Sequence, residues 1–283
     1  MRRVMFLILA LATLLPTMAQ AYEILVLQSS RDAGYETVLK GFHSGANPSE
    51  RIIVLSDYAE LDIVRIVRED RPTVILAIGD AALATARKVH DTPVVAVMSL
   101  GIHTPASQQP NLTGIDMFAP PARYIDIFKS MKTRRVGVLY NPARCNWYLR
   151  LARRAAEAAG IELVTREVFV PRQTIAQLAT LAGKVDALWM LPDSTAVTRE
   201  TIEAYFDFGQ QQNIPVISFA ANYLGLGAAA VLEIDRLALG RQADSMVSAI
   251  LRANHSGHMA LGFPNNIQVK TNPGILRRLN IHL

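Results

Sequence analysis

Asp80 and Asp193 each end an apolar run of the same design, Ile75-Leu-Ala-Ile-Gly-Asp80 and Leu188-Trp-Met-Leu-Pro-Asp193. A carboxylate at the tip of a buried strand can hold an ammonium or another cationic group through charge-assisted hydrogen bonds. It can equally cap the helix that follows, by accepting from the free N–H groups of the first turn, a contribution of about 1 kcal/mol. Both readings stay open for both residues. Short polar groups and aromatics occupy the ends of the other apolar runs: Ser29, Ser30, Gly79 and Ser99 in the first half, and Tyr140, Asn141, Asn146, Trp147, Thr195, Phe219 and Asn222 in the second. Ser29 and Ser30 can contact a ligand or only satisfy turn and cap N–H groups. Trp147 lies beside Tyr148, Leu149 and Leu151, so it can stack on a planar ligand or simply pack.

Other chemistries find less support. The one cysteine, Cys145, has no histidine placed beside it by the sequence, so it reads as a buried thiol rather than a nucleophile. His255 and His258 could share a metal, but no third ligand accompanies them, and no metal or other cofactor is expected. Gly225-Leu-Gly227-Ala-Ala-Ala230 fits a dinucleotide pattern in letters only, because it does not open the helix of a first βαβ unit. No Lys/Arg stripe with interleaved aromatics appears, so nucleic acid is not an expected partner.

What must position these groups is an alternation of short β-branched runs with amphipathic stretches. Strands are predicted at Glu23–Gln28, Arg51–Ser56, Thr73–Ile78 and Pro93–Met98, with helices near Gly34–Ser44, Glu60–Glu69 and Ala81–Val89. Near-continuous apolar strands separated by helices indicate an α/β protein whose parallel sheet is covered on both faces. The plan then restarts: strand Arg135–Tyr140, helix Ala143–Ala159, strand Ile161–Phe169, helix Gln173–Leu181, strand Asp186–Leu191, helix Arg199–Gln212 and strand Pro215–Phe219. Local matches between the halves recur at a near-constant offset, which two similar lobes explain better than one long sheet. Breaker residues concentrate between Asn111 and Pro121, the seam between the halves. Strand Ala229–Ile234, helix Arg236–Ala253, a segment Met259–Lys270 and a short helix Gly274–Leu279 complete the chain and can return it to the first half.

Arg2 and Arg3, the apolar run Val4–Leu15 and the small-residue pattern Ala19-Gln20-Ala21 form the three parts of a secretory leader cut after Ala21. The run is shorter than the ~20 residues a bilayer-spanning helix needs. Of 283 residues 51% are hydrophobic and 19% charged, which excludes a disordered tail, and a single cysteine excludes a disulfide scaffold. The expected product is exported to the periplasm and carries no N-terminal lipid, since no cysteine follows the cleavage site. The net charge of +5 includes Arg2 and Arg3 and argues for no particular ligand.

Ala77-Ile-Gly79, Thr92-Pro-Val-Val95, Asn111-Leu-Thr-Gly114 and Gly137-Val-Leu-Tyr-Asn-Pro142 are followed in order by Lys184-Val-Asp-Ala187, Asp193-Ser-Thr195, Ile214-Pro-Val216, Leu239-Gly-Arg241 and Asn266-Ile-Gln-Val-Lys-Thr271. From about Glu23 to Leu283 this series resembles the solute-binding proteins of ABC transporters, in the uncharacterised-transport branch of the periplasmic-binding-protein type I fold. The resemblance implies two Rossmann-like lobes with parallel sheets joined by a three-strand hinge, crossing near Asp116, Asp235 and Gly262. The expected division is residues 1–21 as leader, 22–116 with 236–261 as the first lobe, and 117–235 with 262–283 as the second. It further implies a monomer, not an enzyme, that closes over a small organic solute, amino-acid-like or aromatic, and presents it to an ABC permease in the inner membrane. A sensor that delivers its closed form to a membrane receptor or kinase is the alternative, and a periplasmic enzyme carries less weight because no nucleophile–base pair emerges. Three positions depart from the family's pattern: Ala220 stands where an Asp is usual, Asn146-Trp147 replaces Asn-Ser, and Asp80-Ala81 replaces Ser/Thr-Pro. Together they point to a changed ligand polarity.

Overall fold

The computed structural model describes residues 22–45, 49–104, 109–253 and 260–283. The expected leader and the His255/His258 pair lie outside the described residues.

Strands β1 (Ile24–Gln28), β3 (Val74–Ile78) and β4 (Val94–Val97) are buried along their whole length, as Val, Ile, Leu and Ala in a sheet covered on both faces must be. With β2 (Glu50–Val54) and β5 (Leu112–Gly114) they form an all-parallel sheet in the order β2-β1-β3-β4-β5. Alternate residues serve opposite faces. Ile24, Val26, Leu76 and Val95 pack against helix α1 (Ala33–Phe42), while Leu25, Leu27 and Ile75 meet helices α2 (Ile63–Asp70) and α3 (Asp80–Ala86).

The second sheet takes β6 (Arg135–Tyr140), β7 (Glu162–Glu167), β8 (Ala187–Trp189), β9 (Val216–Ser218), β10 (Ala230–Ile234) and β11 (Ile267–Thr271) in the order β11-β10-β9-β8-β6-β7. All pairings are parallel except that of β10 with β11. Helices α4 (Pro121–Ser130) and α5 (Pro142–Ala158) pack on one face, and α6 (Thr174–Ala179) and α7 (Ile202–Gln211) on the other. The strand expected over Asp186–Leu191 is half that length. Met190 N still donates to Ile217 O at 2.9 Å, but two residues on comes Pro192, which has no N–H to extend a ladder.

Three segments pass between the sheets. Residues 115–120 lead from β5 to α4; Ile115 bridges Gly262, and Asp116 N donates to Gly262 O at 2.8 Å. Asp235 joins β10 to helix α8 (Arg236–Arg252), which leaves the second sheet and packs on the first through Leu239, Ala243, Met246 and Val247. The chain then returns past Gly262 to β11 and helix α9 (Pro273–Arg278). The crossing of α1 and α8 is built on two glycines: a Cβ on Gly41 would stand 2.1 Å from Leu237 O, and one on Gly240 2.0 Å from Val38 O. Backbone thus meets backbone where any side chain would hold the helices apart.

Candidate functional site

The loops after β1, β3 and β4 meet those after β8 and β9 around a cavity of about 370 Å³. This is where ligands of parallel α/β sheets bind, beyond the carboxyl ends of the strands. From the first sheet come Asp32 and Tyr35 after β1, Asp80 after β3, and Met98 and Leu100 after β4. From the second come Pro192 after β8 and Phe219 with Ala220 after β9. The crossing segments supply the rest: Met117, Glu233, Ile234 and Arg236.

How Asp80 comes to face the cavity is a local matter of capping. The chain leaves β3 at Gly79 with φ +95°, and a Cβ there would lie 2.5 Å from Ser29 Oγ and 2.7 Å from the Tyr35 hydroxyl. Ser29 Oγ donates to Ile78 O at 3.0 Å and accepts from Ala82 N at 2.9 Å. It is therefore Ser29, from the neighbouring strand, that caps α3, and Asp80 is not the cap. The Asp80 Oδ1 instead accepts from Ser99 Oγ at 2.5 Å and from Gly101 N at 2.9 Å, tying the start of α3 to the turn after β4. Asp32 caps α1 through Gly34 N at 2.7 Å. Burial raises the Tyr35 phenol above its ordinary pKa, and the carboxylates of Asp80 and Asp32 push it further the same way. On the crossing strand, Glu233 is paired with Lys270.

Asp193 behaves differently. It is 1% exposed, and its two oxygens accept from Asn141 N (2.5 Å), Cys145 Sγ (3.2 Å), Thr195 N (2.8 Å) and Ala196 N (3.2 Å). Asn141 in turn caps α5 through Ala143 N and donates from Nδ2 to Thr195 Oγ1 at 3.1 Å. The structure brings Asn141, Asp193 and Thr195 together, but as a buried knot joining the tips of β6 and β8, and none of the three lines the cavity. Cys145 belongs to that knot; burial drives its thiol pKa up, and Asp193 adds to the effect.

Of the remaining sequence candidates, Phe219 lines the cavity, while Ser29, Gly79 and Ser99 sit directly behind Tyr35 and Asp80. Ser30 accepts from Asp32 N and Gln28 Nε2 and serves the turn before α1. Tyr140 is buried in the second core, and its hydroxyl donates to Glu167 at 3.3 Å. Asn146 and Asn222 are exposed and do not line the cavity. Trp147 reaches across the seam: its ring stacks on His103, from the loop after β4, at 3.5 Å between centroids, and Phe118 and Phe263 flank it. His103 Nε2 also bonds both oxygens of the buried Asp116 at 2.8 Å. Trp147 is thus a clasp between the two halves beside the crossing segments.

Most of the residues that sequence reasoning missed fall in two groups, with Leu100 and Pro192 standing beside the candidates Ser99 and Asp193. Asp32 and Tyr35 lie just past the Gln28–Ser30 tip, at the N-cap and in the first turn of the next helix. Met117, Glu233, Ile234 and Arg236 flank the expected crossings at Asp116 and Asp235; a segment that passes between two lobes must floor the cleft between them, and that signal was available. Among the described residues no group of three or more His, Cys, Asp or Glu side chains could hold a metal ion, and no helix is long and apolar enough to cross a membrane.

The family model described as ABC transporter substrate binding protein matches residues 31–283. Among solved structures, a substrate-binding protein with adhesive properties from Clostridium difficile, in its ligand-free, open form, superposes with a TM-score of 0.69 at 18% identity, over 93% of this chain and 96% of that one. The ABC domain from Streptococcus pneumonia in complex with L-Trp gives 0.66 at 19% identity with the same coverage. An ABC sugar transporter subunit from Rhodobacter sphaeroides gives 0.54 at 12%, over 88% and 98%. Likeness at these identities shows the fold, that of the type I periplasmic binding proteins. No curated protein matches the chain in sequence.

Proposed function

Because the chain belongs to the ABC transporter substrate-binding protein family, we propose that it captures a small organic solute in the cavity between its lobes and hands it, closed, to a membrane permease. The observation that carries this reading is the composition of the cavity wall: both sheets contribute, and the crossing segments form the floor. A ligand touching Asp80 on one side and Phe219 on the other is buried only when the lobes come together. Closure then links binding to a change of shape that a partner can read.

The apolar share of the wall, from Met98, Leu100, Met117, Phe219 and Ile234, suits an organic body rather than a sugar's ring of hydroxyls. The solved relative bound to L-Trp is consistent with a solute of that size. Export to the periplasm by a leader ending at Ala21 and action as a monomer complete the proposal.

The test is a thermal-shift screen of the protein lacking residues 1–21 against amino acids, amines, nucleosides and organic acids, with X-ray scattering on any hit. A ligand at 100 times its Kd stabilises by about 2.7 kcal/mol, which is readily seen, and closure lowers the radius of gyration. A screen in which no compound stabilises the protein, or in which a hit leaves the radius unchanged, overturns the proposal.

A further inference from the structure

Charge is spread unevenly over the helices of the second sheet. Helices α4, α5 and α9 bury their inward sides in one core, through Phe128, Tyr148 and Leu276 respectively, so their outward sides make up one outer surface. On α4 that surface carries Arg123 and Lys129 against Asp126. On α5 it carries Arg144, Arg150, Arg153 and Arg154 against Glu157, and α9 adds Arg277 and Arg278. All of these side chains are exposed. Eight bases thus stand against two acids on one helical layer of a chain whose whole net charge is +5. Helices α6 and α7, on the opposite face of the same sheet, carry Glu203 and Asp207 and no base. Among the described residues none of the eight bases is ion-paired, and Arg153 donates to the neutral Thr165 Oγ1 at 3.3 Å. A surplus that the chain does not neutralise itself raises the local concentration of anions and of anionic surfaces.

We propose that this face docks on an anionic phospholipid surface. Seven of the eight bases are arginines, whose planar guanidinium forks pair two-pronged with phosphate oxygens. They stand on the outward sides of helices rather than around a hollow, and the 17 residues of α5 alone extend about 25 Å. A partner that meets them all is broad and flat. Leu151, 38% exposed, lies one turn from Arg154 on α5 and offers an apolar side chain to the headgroup layer. None of the eight bases lines the cavity, so the contact goes beyond solute capture and does not rest on it. A protein held in this way meets a membrane partner by searching a surface instead of a volume.

Co-sedimentation with vesicles tests this, using the chain from Tyr22 onward so that the apolar run Val4–Leu15 cannot insert. Vesicles of two parts phosphatidylcholine to one part phosphatidylglycerol should carry the protein down, and pure phosphatidylcholine should not. Raising NaCl from about 0.1 to about 0.5 M should weaken binding about tenfold as the charges are screened. Each arginine near an anionic surface strengthens binding about fivefold, so Arg150→Gln, Arg153→Gln and Arg154→Gln together should weaken it about a hundredfold. A second triple of equal charge, Arg68→Gln, Lys88→Gln and Arg199→Gln, exposed elsewhere on the molecule, should bind within about threefold of wild type. Circular dichroism checks that both triples are folded; should the first fail, Arg277→Gln with Arg278→Gln takes its place, with an expected loss of about twenty-fivefold. The proposal falls if the anionic vesicles do not carry the protein down, if neutral vesicles do so equally well, if salt has no effect, or if the two triples bind alike. It falls too if beads coated with poly-glutamate hold the protein more tightly than the anionic vesicles, which would assign the face to an acidic polypeptide. Any of these results would leave solute capture standing, since that reading is tested at the cavity.

Discussion

Replacing Asp193 tests a carboxylate that is buried in the fold, where Asp80 lines the cavity wall. In Asp193→Ala three backbone N–H groups, those of Asn141, Thr195 and Ala196, and the Cys145 thiol lose their acceptor at a site 1% exposed. Each buried N–H left unpaired costs about 1–3 kcal/mol. Part of that sum is offset, because the carboxylate no longer has to be desolvated, and a net loss of about 3 kcal/mol is expected. For lobes of this size that is a fall in melting temperature of roughly 6–12 °C. Asp193→Asn keeps an acceptor for Thr195 and Ala196 but turns an NH2 towards Asn141 N, and should lose about 2 kcal/mol. Circular dichroism melts give the stability, and titration of any ligand well below the melting point gives the affinity, which should stay within threefold of wild type. A variant that melts within 1 °C of wild type yet no longer binds would refute the reasoning and put Asp193 back among the ligand contacts.

Gly240→Ala should destabilise by about 2 kcal/mol, the cost of forcing a Cβ onto Val38 O less the gain in helix propensity; Ser245→Ala, exposed on the same helix, should stay within about 0.5 kcal/mol, and equal melts for the two would mean that the α1–α8 contact yields freely. The Cys145 thiol should be silent to Ellman's reagent at pH 8 in the native protein and react fully in guanidinium, since burial and Asp193 both hold it protonated; prompt native reaction would contradict the buried knot. Burial raises the Asp116 carboxyl, and His103 works against that rise. A raised folded pKa means stability that is complete when the acid is protonated and is lost as pH rises through the folded value. His103→Ala lifts Asp116 further, so urea denaturation should show a loss of about 2 kcal/mol at pH 7 and a smaller one at pH 4, whereas equal losses would leave only the ring stack on Trp147.

Most of the fold could be read along the chain because a sheet buried on both faces writes itself as uninterrupted Val, Ile, Leu and Ala. Ile24–Gln28 and Val74–Ile78 carry that signal with no exposed position to dilute it. Short strands were harder: Ala187–Trp189 sits within a longer apolar run whose last members leave the ladder at Pro192. For the cavity, the rule of carboxyl strand ends found Asp80 and Phe219 because their positions follow from topology alone. It did not tell Asp80 from Asp193, since two carboxylates at equivalent strand tips differ only in what caps the next turn. In the first lobe a serine from another strand takes that task, and in the second the aspartate takes it. A bond between residues 29 and 82 has no trace in local sequence.

The return of α8 to the first sheet also governs when the protein can fold. Strands β1 and β3 share their core with Leu239, Met246 and Ile250, more than two hundred positions further on than Ile24. A chain emerging from the ribosome therefore holds an incomplete first lobe until nearly its whole length is out, and the second lobe likewise waits for β11. Contacts of such long range make folding slow. Under the proposed export, that delay would keep the chain extended for threading through a membrane for as long as its last segments are withheld.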